Sequence, residues 1–241
     1  MKKIVFTIGI ITTLFACTKP KQLEITSPNG FVKIELDNTE GKLKYNLYDY
    51  NKGVILNSEI SLLQNLKVDV LESNTKQINE TWNPVWGQFS EIQNHYSELE
   101  VLLNYEGTLV TLLVRTYNNG VAFRFKSDEI LSDAKPVFFI EFGLEDTDSL
   151  YAPAGEGEPI GPLSIGALKK MDSIKYRFNM PLVVEREQKK YLSLLESDLV
   201  SAPGFKLIDF KFDKEKNKLI SENEFDSNEK SLLTPWRVIL L

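Results

Sequence analysis

The sequence predicts an all-β fold, a large antiparallel β-sandwich, from three observations. From residue 22 onward the chain runs in short segments of strand length, with alternating or continuous apolar residues. Turn signals rich in Gly and Asn separate these segments. No stretch combines a helix cap with the apolar period of a helix. The 241 residues, 42% hydrophobic and 26% charged, exclude disorder, collagen and coiled coil and are enough for a large core.

Residues 1–16 have the form of a signal peptide. Lys2 and Lys3 precede an apolar run over residues 4–15, which is too short to span a membrane as a mature helix. Cys17, the only cysteine, follows Leu14-Phe15-Ala16 as in the lipobox of bacterial lipoproteins, where the cysteine is lipidated and becomes the new N-terminus. A buried structural cysteine is the alternative interpretation.

The lipobox interpretation divides the chain into a signal peptide (1–16), a lipidated tether (17–22) and one folded domain (23–241). The protein is then an exported lipoprotein, periplasmic or attached to the outer membrane. Because the net charge is -6 and processing removes Lys2 and Lys3, attraction to anionic headgroups would not hold it there. The lipid chains would supply the anchor.

The predicted strands follow in order along the domain. The first eight are Gln22–Ser27, Phe31–Asp37, Lys42–Tyr48, Lys67–Glu72, Glu98–Tyr105, Thr108–Thr116, Val121–Lys126 and Pro136–Glu141. Strand-like segments resume at Pro181–Leu195, Phe205–Phe212 and Trp236–Leu241. Only Ser58–Asn65 and Asp198–Gly204 leave room for a helical turn.

Two features position these strands in sheets. Turn residues at 27–30, 39–41, 51–53, 105–107 and 118–120 predict hairpins with positive φ angles. Leu43, Tyr45 and Leu47 alternate with polar residues, which is typical of a sheet with one solvated face, whereas the run 109–114 is apolar on both faces and belongs inside a sheet.

Charge and rare residues exclude several function classes. The basic residues are scattered in an acidic chain, so nucleic acid is not an expected partner. One histidine and one cysteine exclude a Cys/His zinc cluster and a Cys-His nucleophile pair within the chain, so a metal site would need oxygen ligands.

No catalytic constellation emerges from the residues alone. A serine triad with His95 would need a serine on a Gly-x-Ser-x-Gly turn, and the sequence contains no such turn, so we interpret His95 as structural. The acidic stretches 141–148 and 156–158 could supply two carboxylates for glycoside hydrolysis, but charged loops are mostly only solvated. Trp82 and Trp86 could stack on a sugar ring or could plug an end of the sandwich.

Several motifs in order along the domain resemble the N-terminal domain of glycoside hydrolase family 97, the family of the α-glucosidase in the starch-utilisation system of gut Bacteroidetes. They are Ser27-Pro28-Asn29-Gly30, Trp86-Gly87, Asn94-His95-Tyr96-Ser97-Glu98-Leu99, Arg115-Thr116-Tyr117-Asn118-Asn119-Gly120-Val121-Ala122-Phe123-Arg124 and Thr234-Pro235-Trp236-Arg237-Val238-Ile239.

This resemblance implies a β-super-sandwich of galactose-mutarotase type that packs on a (β/α)8 barrel. In the family the barrel carries both catalytic carboxylates, acts on α-glucosides or α-galactosides, and holds Ca²⁺ beside the substrate. It further implies that Glu196, at the end of the segment Tyr191–Leu199, is a calcium ligand completed by the barrel.

The chain stops at Leu241, where the family continues into the barrel. A truncated or split gene, a fragment of a longer assembly and a stand-alone descendant are all possible, and the apolar final strand favours truncation.

The chain is therefore expected to be inactive alone and to complete a separate or missing barrel that acts on α-linked oligosaccharides. The alternative is a stand-alone carbohydrate-binding surface lipoprotein. An active mutarotase is a weaker alternative. That chemistry uses a histidine and a glutamate as acid and base, and the one histidine of the chain, His95, lies in a strand-edge motif.

Overall fold

The computed structural model describes residues 23–128, 135–154, 156–171, 177–226 and 231–241. Within these ranges the chain forms two large antiparallel sheets that enclose one hydrophobic core. The all-β sandwich is therefore confirmed. The predicted signal peptide, Cys17 and the tether lie outside the described residues.

The strands are numbered along the chain. The first half holds β1 (Glu24–Thr26), β2 (Val32–Thr39), β3 (Lys42–Asp49), β4 (Lys52–Ser61), β5 (Val68–Trp82), β6 (Ile92–Tyr105), β7 (Thr108–Tyr117), β8 (Gly120–Ser127) and β9 (Val137–Gly143). The second half holds β10 (Ser149–Ala152), β11 (Ile160–Ser164), β12 (Phe178–Asn179), β13 (Leu182–Arg186), β14 (Lys190–Ser197), β15 (Asp209–Asp213), β16 (Lys218–Glu224), β17 (Leu232–Leu233) and β18 (Trp236–Leu240).

Two short helical pieces interrupt this pattern. The helix α1 (Ile165–Leu168) is capped by the Ser164 hydroxyl, which accepts a hydrogen bond from the Ala167 amide at 3.2 Å. A 3-10 turn (Glu187–Lys189) joins β13 to β14. In the part of the chain that the structure describes, no helix is long and apolar enough to cross a membrane.

The first sheet has eight strands in the order β1-β2-β3-β4-β9-β16-β15-β12. The second, the ten-stranded sheet, has the order β11-β10-β13-β14-β18-β8-β7-β6-β5, with β17 beside β8. Because β18 lies between β8 and β14, the end of the described chain is inserted into the middle of the second sheet.

The core lies between the two sheets and follows the predicted alternation. Leu43, Tyr45 and Leu47 on β3 are buried, and the Tyr45 ring meets Phe123 of the opposite sheet with centroids 4.9 Å apart. The Tyr45 hydroxyl donates to the Glu141 carbonyl oxygen at 2.6 Å, so this buried polar atom has a partner. Each such apolar side chain contributes about 1.5–3 kcal/mol by leaving water.

The structure departs from the sequence prediction in several places. The strands β4, β10, β11 and β16 lie outside the predicted segments. Residues 58–61, where a helical turn was allowed for, belong to the strand β4. The strands β5 and β6 extend well beyond the predicted Lys67–Glu72 and Glu98–Tyr105. Apolar alternation does not reveal the extra part, because it is mostly polar and pairs outside the core. Gly120 does not have the predicted positive φ; a Cβ there would lie 2.3 Å from the Ile239 carbonyl oxygen, so glycine is needed for the close approach of β18.

Candidate functional site

The ten-stranded sheet presents two different faces. Its inner face packs on the first sheet and includes Leu99 and Val101 of β6. Its outer face points away from the first sheet and includes Glu98 of the same strand, because successive side chains of a strand alternate. The central motif, residues 115–124, and the closing motif, residues 234–239, place side chains on both faces near β18.

Glu196 lies between the two sheets. It is directly opposite Arg237 in the pairing of β14 with β18, and both side chains are almost completely buried, with exposed fractions of 1% and 0%. The Glu196 Oε2 atom accepts a hydrogen bond from Arg237 Nη1, and Arg237 Nη2 donates to Asn223 Oδ1 on the other sheet at 2.7 Å. This ion pair therefore ties β14 and β18 to β16.

The electrostatics of this pair follow from burial. Burial lowers the pKa of the Arg237 guanidinium to about 9, which leaves it charged at neutral pH. The guanidinium also lies over the Phe138 ring, 4.9 Å from its centroid. An arginine cation is thus the immediate neighbour of the predicted calcium ligand.

Glu196 has one atom left for a metal. Its Oε1 is buried and has no hydrogen-bond partner among the described residues. Calcium takes six to eight oxygen ligands, yet the described ranges contain no group of three or more His, Cys, Asp or Glu side chains that could hold a metal. Glu196 lies between the sheets beside the Arg237 cation, so as placed it does not face a second body on the outer face, and its calcium role stays a prediction.

The outer face carries a cluster of stacked and paired side chains, which we call the arginine–tryptophan cluster. Two arginines lie over the Trp236 ring: the guanidinium carbons of Arg115 and Arg124 are 4.4 Å and 4.8 Å from its centroid. Arg115 Nε donates to Glu98 Oε2 at 2.6 Å, and Arg124 Nη2 donates to Asp198 Oδ2 at 2.8 Å. The central motif and the closing motif of the sequence therefore meet here.

The carboxylates of this cluster are held ionised by cations. Burial opposes the charge of Glu98, but hydrogen bonds from Lys76 and Arg115 outweigh it and keep the pKa of Glu98 below its ordinary value. Burial lowers the pKa of Arg124, and its Nε atom has no partner among the described residues. Glu98 is thus a poor general acid, since it is not protonated near neutral pH.

The cluster also fixes the end of β14. Asp198 follows Glu196 by two residues and has a φ of 59°, a left-handed conformation that few residues adopt readily. Its carboxylate is bound by Arg124, which Trp236 packs against. The outer cluster and the inner Glu196–Arg237 pair therefore hold the same strand end from opposite faces.

The acidic stretch 141–148 is not assembled into one site. Glu141 is buried and binds Lys216 and Lys218 at 2.9 Å and 2.5 Å; burial opposes its charge, but these hydrogen bonds lower its pKa. Asp148 is buried beside Arg186 at 3.2 Å, and burial raises its pKa. These two carboxylates are ion-paired in the interior rather than solvated, contrary to the general expectation for charged loops.

Three further acidic residues of the stretches 141–148 and 156–158 face solvent. Asp146 pairs with Lys169 at 2.8 Å, and Glu156 and Glu158 are exposed. His95, half-buried on β6, pairs with Asn79 of β5 across the strands.

A cavity of about 170 Å³ lies at one end of the sandwich, beside Arg186, Lys190 and Tyr191. The Arg186 guanidinium already binds Asp148 and the carbonyl oxygens of Val54 and Gly143. Ligand pockets usually measure about 300–1,000 Å³, so this cavity is too small for an oligosaccharide.

Trp82 and Trp86 do not plug the sandwich. They lie at the far end of the β5–β6 hairpin, and Trp86 is almost fully exposed. That placement excludes one of the two interpretations of these tryptophans and leaves the other, a stacking surface.

Comparisons with known proteins agree with this architecture. The family described as glycosyl-hydrolase 97 N-terminal matches residues 25–241. A solved glycoside hydrolase family 97 enzyme from Pseudoalteromonas sp., in complex with acarbose, superposes with a TM-score of 0.73 and 15% identity over 90% of this chain. A substituted variant of a family 97 enzyme from the same strain, in complex with panose, gives the same values.

A β-arabinopyranosidase is similar as well, with a TM-score of 0.69 and 13% identity over 91% of this chain. At these identities the likeness shows the fold. The chain spans 35% of the length of the Pseudoalteromonas enzyme and 40% of the arabinopyranosidase.

Proposed function

The chain belongs to the glycosyl-hydrolase 97 N-terminal family, and from this premise we propose that it packs on and completes the catalytic barrel of a family 97 glycoside hydrolase. The barrel would act on α-linked oligosaccharides, of α-glucoside or α-galactoside type. The chain would contribute a rigid wall and one metal ligand rather than the catalytic carboxylates.

The observation that carries this proposal is the state of the outer face near β18. Trp236 lies on that face, away from the core, and yet only 8% of it is exposed, because two paired arginines cover it. Interfaces are enriched in tryptophan and arginine. An ordered, charge-balanced face of this kind supports packing against a second body.

The chemistry available within the chain supports a non-catalytic role. Glycoside hydrolysis needs two carboxyl groups on either side of the scissile bond. Glu98, Glu141 and Glu196 are each bound by an arginine or a lysine. We therefore propose that the chain alone hydrolyses neither aryl α-glucosides nor aryl α-galactosides.

Calcium enters this proposal through Glu196 alone. When bound, the ion would polarise and orient the substrate in the barrel. The atom proposed as the ligand is Glu196 Oε1, which is buried between the sheets; Arg237 binds Oε2, and Arg124 binds Asp198 two residues further on. Proposed lipidation of Cys17 would keep the assembly at a membrane.

The experiment is coexpression of the chain with a family 97 barrel encoded downstream of Leu241. We expect copurification and hydrolysis of an aryl α-glucoside or α-galactoside. Leu109→Arg, on the outer face of β7, should weaken copurification, whereas Leu207→Arg, equally exposed beside the first sheet, should not. A barrel that is equally active without the chain would contradict the proposal.

The alternative, a stand-alone carbohydrate-binding lipoprotein, requires no barrel, so an open reading frame for a barrel downstream of Leu241 would favour the completed enzyme over it. Both proposals place a lipid anchor on Cys17, and one experiment tests it: Cys17→Ala should abolish incorporation of labelled palmitate. Equal labelling of the variant would contradict the lipobox.

A further inference from the structure

The β5–β6 hairpin extends beyond the rest of its sheet. The pairing of β6 with β7 ends at Ser97 and Thr116, but the pairing of β6 with β5 continues from Ile78 opposite Tyr96 to Trp82 opposite Ile92. At about 3.4 Å per residue this projection is about 15 Å long. We call residues 78–96 the arm and residues 82–90 its tip.

The tip exposes an unusual concentration of apolar side chains. The exposed fractions are 50% for Trp82, 98% for Val85, 87% for Trp86 and 67% for Phe89. Contiguous exposed apolar groups on a soluble domain mark a binding surface. The tip also contains no Asp, Glu, Lys or Arg, so a charged ligand would find no counter-charge within it.

The tip is held in shape by its own contacts. Asn83 Nδ2 donates to the Ser90 carbonyl oxygen at 2.8 Å and closes the loop, and Gly87 has a φ of 132° that only glycine adopts readily. Below the tip, Gln93 Nε2 donates to Asn79 Oδ1 at 3.1 Å across the hairpin. A surface organised in advance loses less entropy when it binds.

We propose that the tip is a carbohydrate-binding platform for a neutral α-linked gluco-oligosaccharide. A pyranose ring has an apolar C–H face, which would stack on Trp86 or Trp82, and a rim of hydroxyl groups. Gln88, on the tip, carries a carboxamide that can both donate to and accept from such hydroxyls. The ligand's neutrality matches the absence of charge on the tip.

The arm's flanks favour a sugar over a protein partner. Its two strands carry the carboxamides of Asn79, Gln93 and Asn94, and Asn94 Nδ2 donates to Glu80 Oε1 at 2.7 Å. Paired amides and carboxylates of this kind present several directional groups beside the aromatic rings, which hydroxyl-rich ligands need. The α-linkage rests on the proposed function, whereas the platform itself requires no barrel.

The experiment is isothermal titration of the purified chain with maltoheptaose. We expect saturable binding, weakened about tenfold or more in Trp86→Ala and clearly weakened in Trp82→Ala. Tyr50→Ala is the matched control: Tyr50 is an exposed aromatic residue in the β3–β4 turn, stacked on Phe31, and its removal should leave binding unchanged. Circular dichroism should show the same strand content in all variants, because these side chains are outside the core.

Three results would overturn the platform. They are no saturable heat up to millimolar maltoheptaose, an equal loss in Tyr50→Ala, and self-association that depends on Trp86 without any response to sugar. Failure of the platform is distinguishable from failure of the proposed function. Copurification with a barrel is measured without sugar, and the variant that tests it is Leu109→Arg, outside the tip.

Discussion

Trp236 and Trp86 belong to the same chain and occupy opposite environments. Trp236 lies on β18, is 8% exposed and is contacted by Arg115 and Arg124, whereas Trp86 lies in a hairpin loop with nearly all of its surface in water. Trp236 contacts Arg124, which also binds Asp198 at the strand end that carries Glu196, so a substitution of Trp236 disturbs the framework. Trp86 touches little of the described chain, so changing it should affect only what binds there.

The largest expected effect is loss of the inner ion pair. Arg237→Ala leaves the Glu196 carboxylate buried without its cation, which should lower the free energy of unfolding by about 3–5 kcal/mol. The measurement is urea denaturation. Arg177→Ala is the control, because its pair with Asp209 is largely exposed and should be worth about 1 kcal/mol or less. Similar losses in the two variants would show that the inner pair is not part of the framework.

The two tryptophans give the direct comparison. Trp236→Ala removes a buried ring that two arginines pack against, and it should cost about 3 kcal/mol in the free energy of unfolding. Trp86→Ala should change it by less than about 0.5 kcal/mol, as expected for an exposed side chain. Denaturation curves of the two variants, recorded side by side, test this. Equal costs would remove the distinction between framework and tip.

A smaller effect is the pH dependence of the framework carboxylates. Glu98 and Glu141 have pKa values below their ordinary range in the folded chain. Their stabilisation is therefore fully present above the unfolded pKa of about 4.3 and is lost as the pH falls through the folded values. Thermal melts between pH 7 and pH 3 should fall more steeply for the native chain than for Glu141→Gln. Parallel curves would contradict the assignment of Glu141 as a stabilising ion pair.

The smallest expected effect is that of calcium on the chain alone. Glu196 Oε1 is a single ligand atom, and calcium affinity rises with the number of carboxylates brought together. We expect no change in melting temperature at calcium concentrations below about 1 mM, with EDTA-treated protein as the reference. Micromolar binding by calorimetry would mean that the ligands lie within this chain, and it would contradict a site completed by a barrel.

Much of the framework could be read from local patterns. The alternation of Leu43, Tyr45 and Leu47 identified the buried face of β3, and the glycines at 30 and 41 have the positive φ expected of hairpin turns. Such patterns are legible because strand geometry and turn geometry depend on neighbouring residues. At Gly120 local patterns do not suffice, because glycine is needed there for the close approach of β18, which lies more than a hundred residues away in the chain.

The sequence by itself determined the sandwich class, the positions of many strands along the chain and the motifs that identify the family, because apolar alternation and turn chemistry act within a few residues. Only the tertiary structure decided the order of the strands in the two sheets, that Glu196 faces Arg237 between the sheets, that Arg115 and Arg124 contact Trp236, and that the arm carries Trp86 into water. Register and burial depend on which distant strands pair. The burial of Trp236 and the exposure of Trp86 therefore follow from the strands that pack beside each residue and not from the residue type.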